Sequence, residues 1–142
     1  MSRWVQKVIQ LEHRPRGFHL VTTEIENHLP ELKDFHIGVA HVFIMHTSAG
    51  LTINENADPT VRADFERHFR HAIPDGAPYF AHTCEGPDDM SGHLKSSVLG
   101  CSVSIPIRNG SFHMGTWQGI YLCEARDHSG TGRNITVTLC GE

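Results

Sequence analysis

The chain has 142 residues and a mass of 15.9 kDa, with 39% hydrophobic and 20% charged residues. This suits one domain with a buried core and excludes a disordered chain or a complete (β/α)8 barrel, which needs roughly 250 residues. Its net charge is −4, with 12 Lys and Arg scattered among 16 Asp and Glu, so no basic stripe follows a phosphate backbone and no nucleic-acid partner is expected.

Trp4 to Leu11 alternates, with Val5, Lys7, Ile9 and Leu11 on one side, and reads as a strand ended by the turn Arg14-Pro15-Arg16-Gly17. Phe18 to Val21 reads as a short strand. Thr22 or Thr23 then caps a helix carrying Ile25, Leu29 and Leu32, which Pro30 shortens or breaks. His36 to His46 is the clearest strand. Both of its faces are mostly apolar, so it is expected at the centre of a sheet, with His41 in the core. After a tight Ser48-Ala49-Gly50 link, Leu51 to Asn54 continues as a strand.

Asp58-Pro59 then opens the best helix, where Val61, Phe65, Phe69 and Ile73 recur every four residues as a buried stripe. Pro74-Asp75-Gly76 stops it, and a loop rich in Gly, Pro, Asp and His runs to Gly92, long enough to suggest function. Gly92 to Leu99 makes two helical turns, and Cys101 to Ile107 forms a strand. Asn109-Gly110 marks a hairpin. Ser111 to Ala125 and Ile135 to Leu139 supply the remaining strands. Hairpins rather than βαβ crossovers connect most of these elements. The expected fold is a single α+β domain over residues 1–142, mainly antiparallel sheet with two or three short helices.

No run approaches the ~18 apolar residues of a membrane span, and the first ten residues lack the character of a signal peptide. Cysteines 84, 101, 123 and 140 form no CxxC pair and read as reduced, mostly buried thiols. A cytoplasmic protein with no membrane partner is expected. Histidine is the anomaly, at 12 residues against 7 Phe, 2 Trp and 2 Tyr.

Three histidines stand where segments end: His46 after the central strand, His82 in the long loop and His93 at the start of the short helix. Converging, they would ligate a divalent metal, zinc or magnesium, with an open position. The alternative is three histidines hydrogen-bonded separately. His68 and His71 read as a solvated helix face. His36 and His113 read as surface or turn residues, with no acidic or thiol company. Asp88 and Asp89 precede His93 closely and could orient an imidazole or hold Mg²⁺, though each alone suits a turn or helix cap. Thr47 and Ser48 follow His46 with hydroxyls that could contact a phosphate. Gly115-Thr116-Trp117-Gln118-Gly119 could admit and stack on a ring, or could be an aromatic hairpin turn.

The ordered set His46-Thr-Ser-Ala, Asn54-Glu-Asn-Ala-Asp58-Pro, His82, Asp88-Asp89-Met90, His93-Leu-Lys-Ser-Ser, Ile105-Pro106-Ile107, Gly115-Thr-Trp-Gln118 and Glu124 strongly resembles the YjbQ family. That resemblance covers nearly the whole chain. It implies a homotrimeric α+β protein with its histidines near subunit contacts, and a thiamine-phosphate synthase activity as its main or a secondary role. By position it implies site histidines His46, His82 and His93, with Asp58, Asp89 and Glu124 as acidic company and Thr116 to Gln118 lining the pocket. His46, His93 and Asp89 are the expected catalytic residues. Thr47, Ser48, Lys95, Thr116, Trp117, Gln118, Arg126 and Arg133 are the expected contacts to a small phosphorylated metabolite.

The implied reaction joins a pyrimidine methyl diphosphate to a thiazole phosphate and expels diphosphate, whose charge Lys95, Arg108, Arg126 or Arg133 would meet. The stretch after Glu124 keeps only Arg126 and Arg133 where relatives are often denser in arginine. Two other readings remain open: a metal-dependent hydrolase of a small substrate built on His46, His82 and His93, and a non-catalytic trimer that sequesters a phosphometabolite.

Overall fold

Strand periodicity sorts the side chains into two sheets, and helical periodicity lays two helices over one of them. The computed structural model describes every residue from Met1 to Glu142. Its elements are β1 (Arg3–Gln10), β2 (Gly17–Leu20), α1 (Thr22–Asn27), a 3-10 turn (Pro30–Asp34), β3 (Ile37–Ile44) and β4 (Ala49–Glu55). There follow α2 (Pro59–Ala72), α3 (Asp89–Leu99), β5 (Ser102–Arg108), β6 (Ser111–Phe112), β7 (Gln118–Glu124) and β8 (Asn134–Gly141). The larger sheet has the order β1-β8-β3-β5-β6 and the smaller β2-β7-β4, with every pairing antiparallel. The expected α+β architecture is therefore the observed one, and β3 sits in the middle of its sheet.

The core lies between the sheets. Ile9, Val42, Ile44, Ile105, Ile107, Ile135, Val137 and Leu139 face inward from the larger sheet, and Leu51, Ile120 and Leu122 meet them from the smaller. Ile25, Leu29, Leu32 and Phe35 close one end. A second cluster, Phe18, Tyr121 and Cys123, covers the other face of the smaller sheet and receives Phe65, Phe69 and Leu99 from the helices. The result is three layers. α2 lies over the edge strand β2 and α3 over the opposite edge strand β4.

Three expectations change in the structure. The α2 stripe is half-buried, because the helix lies on the edge of a narrow sheet and leaves both flanks in solvent. Its N-terminus follows the sequence reading, since the Asp58 carboxylate accepts the Thr60 N–H at 2.9 Å. Helix α3 begins three residues earlier than expected, at Asp89, and so takes in Asp89 and Ser91. Finally, β3 is covered on one face only. Ile37, Val39, Phe43 and Met45 are exposed with Trp4 and Val8 of β1, and His41 lies among them against Phe43 rather than in the core.

Candidate metal centre

Asp89 opens α3 and His93 follows one turn later, a spacing that puts both side chains on one helix face. His82 reaches the same point from the loop before the helix. Its Nε2 lies 2.7 Å from Asp89 Oδ2, and His93 Nε2 lies 3.0 Å from the same oxygen. The two rings are 5.4 Å apart, and the three possible ligand atoms all lie within 4.8 Å of one another. Asp89 is almost wholly buried, whereas both histidines open to solvent.

Two flanking contacts fix this group. Arg126 Nη1 donates to the other Asp89 oxygen at 2.5 Å, while its Nη2 donates to the Glu85 carbonyl and its Nε lies 3.2 Å from Asp88 Oδ2. Asp88 Oδ2 also accepts the Asp127 N–H. Burial opposes ionisation of Asp89. The His82 hydrogen bond, the charge of His93 when its ring is protonated and that of Arg126 outweigh it and hold the carboxyl below its usual range. On the other side, His93 Nδ1 donates to the Thr47 carbonyl at 2.8 Å. That carbonyl only accepts, so Nδ1 carries the proton of the neutral ring and Nε2 presents its lone pair. Two acceptors, His93 Nε2 and Asp89 Oδ2, then face each other. A second proton on His93 or a cation held between them makes that contact favourable.

Helix α3 can come this close because residue 92 is glycine. A Cβ there would lie 3.3 Å from Ser48 Cβ and 3.4 Å from Ala125 Cβ. Behind the helix, Ser91 Oγ donates to Asp75, and Arg16 grips Asp75 through both terminal nitrogens at 2.7 and 2.9 Å.

The residues expected at the site from sequence divide into two groups. His82, His93 and Asp89 meet, with Thr47 and Arg126 touching them, though Thr47 acts through its carbonyl rather than its hydroxyl. His46 does not join them as a ligand: its Nε2 accepts the Asn134 N–H at 2.8 Å, and Asp89 takes the third place in the cluster. Burial, helped by the Arg133 charge, lowers the His46 pKa. Arg133 and Glu124 form a buried ion pair, with Arg133 also donating to Ser48 Oγ.

Lys95 is buried at 2% exposure between the helices and the smaller sheet, and its ammonium has no partner. Thr116, Trp117 and Gln118 stand at the far end of β7, whose seven residues, at about 3.3 Å each, separate them from Glu124 by roughly 20 Å. Asp58 is the α2 cap. Sequence reasoning missed the Arg126 clamp on Asp89 and the Arg16–Asp75–Ser91 support, both of which depend on long-range pairing. The Asp89/His93 spacing was available from the sequence had the helix been started at Asp88.

A carboxylate and two imidazoles gathered at the start of α3, in a two-sheet antiparallel α+β domain, mark the class of small α+β proteins to which the chain belongs. The chain belongs to the YjbQ family: the model described as UPF0047 protein YjbQ-like matches residues 7–142. It is 54% identical over 139 residues to the UPF0047 protein YjbQ of Salmonella typhimurium, covering 98% of this chain and 99% of that one. To the UPF0047 protein YugU of Bacillus subtilis it is 42% identical over 119 residues, 83% of this chain and 87% of the other. Among solved structures it resembles the conserved hypothetical protein TT1486 of Thermus thermophilus, with a TM-score of 0.78, 30% identity, and coverage of 92% and 97%. A YbjQ-like protein of unknown function from Sulfolobus solfataricus shares the fold over 100% of both chains, with a TM-score of 0.86 and 23% identity.

Proposed function

We propose that this protein is a divalent-metal enzyme whose ion is held by His82, Asp89 and His93 and whose reaction is hydrolysis of a small polar substrate, phosphorylated or amide. The observation that carries the reading is His93. Its protonated Nδ1 is committed to Thr47 and its Nε2 lone pair is directed at a buried carboxylate, the arrangement that orients a ligating imidazole. Two nitrogens and one oxygen suit zinc and leave room for water or substrate. When bound, the ion would supply Lewis acidity to an oxygen of either.

The chain's own residues do the rest. Arg126 keeps Asp89 ionised and pointed, and the adjoining groove of about 650 Å³, lined by Glu85, Asp88, Arg126, Asp127 and His128, would receive a hydrophilic substrate. The four cysteines are free, and only Cys123 is buried rather than most of them as expected; unpaired thiols fit a cytoplasmic setting. The exposed apolar patch of Trp4 and Val8 on β1 with Val39, Phe43 and Met45 along and after β3 is the surface a homotrimer would cover.

The diphosphate-releasing synthase reaction draws less support from this geometry. Arg126 and Arg133 are engaged by buried carboxylates, Lys95 is enclosed, and Arg108 lies at the opposite end of β3. Metal analysis of untagged protein grown with zinc, beside the Asp89→Ala variant, tests the proposal. One equivalent of metal in the parent and none in the variant is expected, with hydrolysis of a phosphate or amide panel following the metal. A metal-free parent under zinc-replete conditions rejects it.

A further inference from the structure

A second basic cluster lies away from the His82–Asp89–His93 group. β3 leaves the metal centre and runs eight residues to Ile37, so at about 3.3 Å each its other end is roughly 25 Å distant. There the chain on either side of the Ile37–Arg108 pairing encloses an open cavity of about 570 Å³. His36 enters from the start of β3, Arg108 from the end of β5 and His113 from beyond the Asn109-Gly110 turn. Ile37, Pro106 and Ile107 add apolar wall. The volume is that of a small-molecule pocket.

Charge gives this cavity its specificity. Every ionisable side chain lining it is basic, in a chain whose net charge is −4. Seven of the nine arginines are paired with a carboxylate, and Arg108 is not among them. Neither imidazole is hydrogen-bonded to a side chain, and the hydrogen bonds of His36 and His113 to Glu142 and Pro106 are made by their main-chain N–H groups. The carboxylate side chains nearby are turned elsewhere: that of Glu142 reaches toward the N-terminal ammonium at 4.0 Å and that of Asp34 accepts from Arg3 at 3.2 Å, while the Glu142 main-chain oxygen is taken up by the His36 and Ile37 N–H groups at 2.6 and 3.1 Å. A guanidinium without a carboxylate partner and two imidazoles lining one cavity, together with an isoleucine and a proline, suit an oxyanion attached to an apolar body.

We propose that this cavity is a binding site for a small organic anion, a carboxylate or phosphate carried on an apolar group, with Arg108 as the primary anchor and His36 and His113 as flanking donors. The site is independent of the metal centre, so either assignment survives failure of the other.

The test uses the full-length chain labelled with ¹⁵N and titrated separately with benzoate and with inorganic phosphate. Saturable shifts confined to the amides of residues 36–38, 106–109 and 113 are expected. Shifts with benzoate alone assign a carboxylate on an apolar body, and shifts with phosphate assign phosphate chemistry. Arg108→Gln is expected to weaken binding at least about tenfold, and His36→Gln with His113→Gln by a smaller factor, while the amide spectrum stays folded. The proposal is overturned if neither probe gives a saturable shift there by about 10 mM, the weak end of specific affinity. It is equally overturned if the shifts persist undiminished in Arg108→Gln, or appear only around His82 and His93.

Discussion

His93 Nε2 faces Asp89 Oδ2 at 3.0 Å, one helical turn apart, with its other ring nitrogen already donating to the Thr47 carbonyl. If this pair holds the proposed metal, its geometry makes a quantitative demand on affinity. Removing a ligand in His93→Ala or Asp89→Asn should weaken zinc binding by more than about 100-fold. Arg126→Gln, which loosens the carboxylate without touching the ion, should weaken it by about 10- to 100-fold, the usual range for an outer partner. Competition with a chromogenic chelator measures all three. Equal affinities for parent and Arg126→Gln would mean that the Arg126–Asp89 pair is structural only.

Glu124 and Arg133 are both nearly inaccessible, and they are joined by two hydrogen bonds at 2.5 and 2.7 Å. Taking one partner away leaves the other charge stranded, so Glu124→Gln or Arg133→Met alone should cost about 3–5 kcal/mol. Urea unfolding reads this directly. The double substitution should be less destabilising than the sum of the two. Strict additivity would contradict a direct pair.

The parts of the fold that local pattern governs were legible in the sequence. Alternation placed β1, β3, β5 and β8, and Asp58-Pro59 marked the start of α2. Pro30 broke the first helix into α1 and a 3-10 turn. Layering was harder, because whether an apolar outer face such as Ile37, Val39 and Phe43 is covered depends on which sheet packs against which. The site was half legible. Segment ends flagged His82 and His93. His46 was grouped with them although its ring is tied to Asn134 across the sheet, a contact that spans 88 positions and leaves no trace in local spacing. Gly115 to Gln118 carries aromatic and amide groups, but strand length takes them to the other end of the molecule.

His46 makes stability depend on pH. Its folded pKa is lowered, chiefly by burial and then by Arg133, and protonation would also forfeit the hydrogen bond that Nε2 accepts from Asn134. The unfolded chain therefore takes up the proton first, near pH 6.5. Stability contributed by the neutral ring is fully present above that pH. It is lost progressively as pH falls from there to the folded pKa, and is level below it. Thermal melts between pH 7.5 and 5 should show a declining midpoint. Part of the slope should disappear in His46→Gln, whose amide oxygen accepts the same N–H without titrating. An unchanged slope in that variant assigns the decline elsewhere, with His19, also lowered by burial, as the next group to replace.

Gly92 sets how near α3 lies to Ser48 and Ala125. An added methyl at 3.3 and 3.4 Å is too tight to be accepted without movement, yet the helix would gain intrinsically from alanine, by about 1 kcal/mol. The two effects should nearly cancel in global stability. The displacement falls on the turn that carries Asp89 and His93. Gly92→Ala is therefore expected to fold with an unfolding midpoint close to the parent's while binding zinc at least about fivefold more weakly. Unchanged zinc affinity would show that the neighbouring side chains absorb the methyl.

Lys95 is a position where the fold tolerates a costly side chain. Its ammonium is buried without a hydrogen-bond partner, and burial, with Arg16 adding to it, lowers its pKa despite the nearby carboxylates of Glu66 and Asp75. Methionine fills a similar volume without the charge, so Lys95→Met should stabilise the protein at pH 7 by about 1 kcal/mol or more. The unfolded lysine keeps its proton to about pH 10.4, whereas the folded one releases it earlier. Wild-type stability accordingly rises with pH between those two values, and the cost is fully present below them. The advantage of Lys95→Met should be greatest near neutrality and should narrow toward pH 10, measured as the difference in urea midpoints at the two ends. A destabilised Lys95→Met at pH 7 would mean that attraction to Asp75 and Glu66 exceeds the cost of burial.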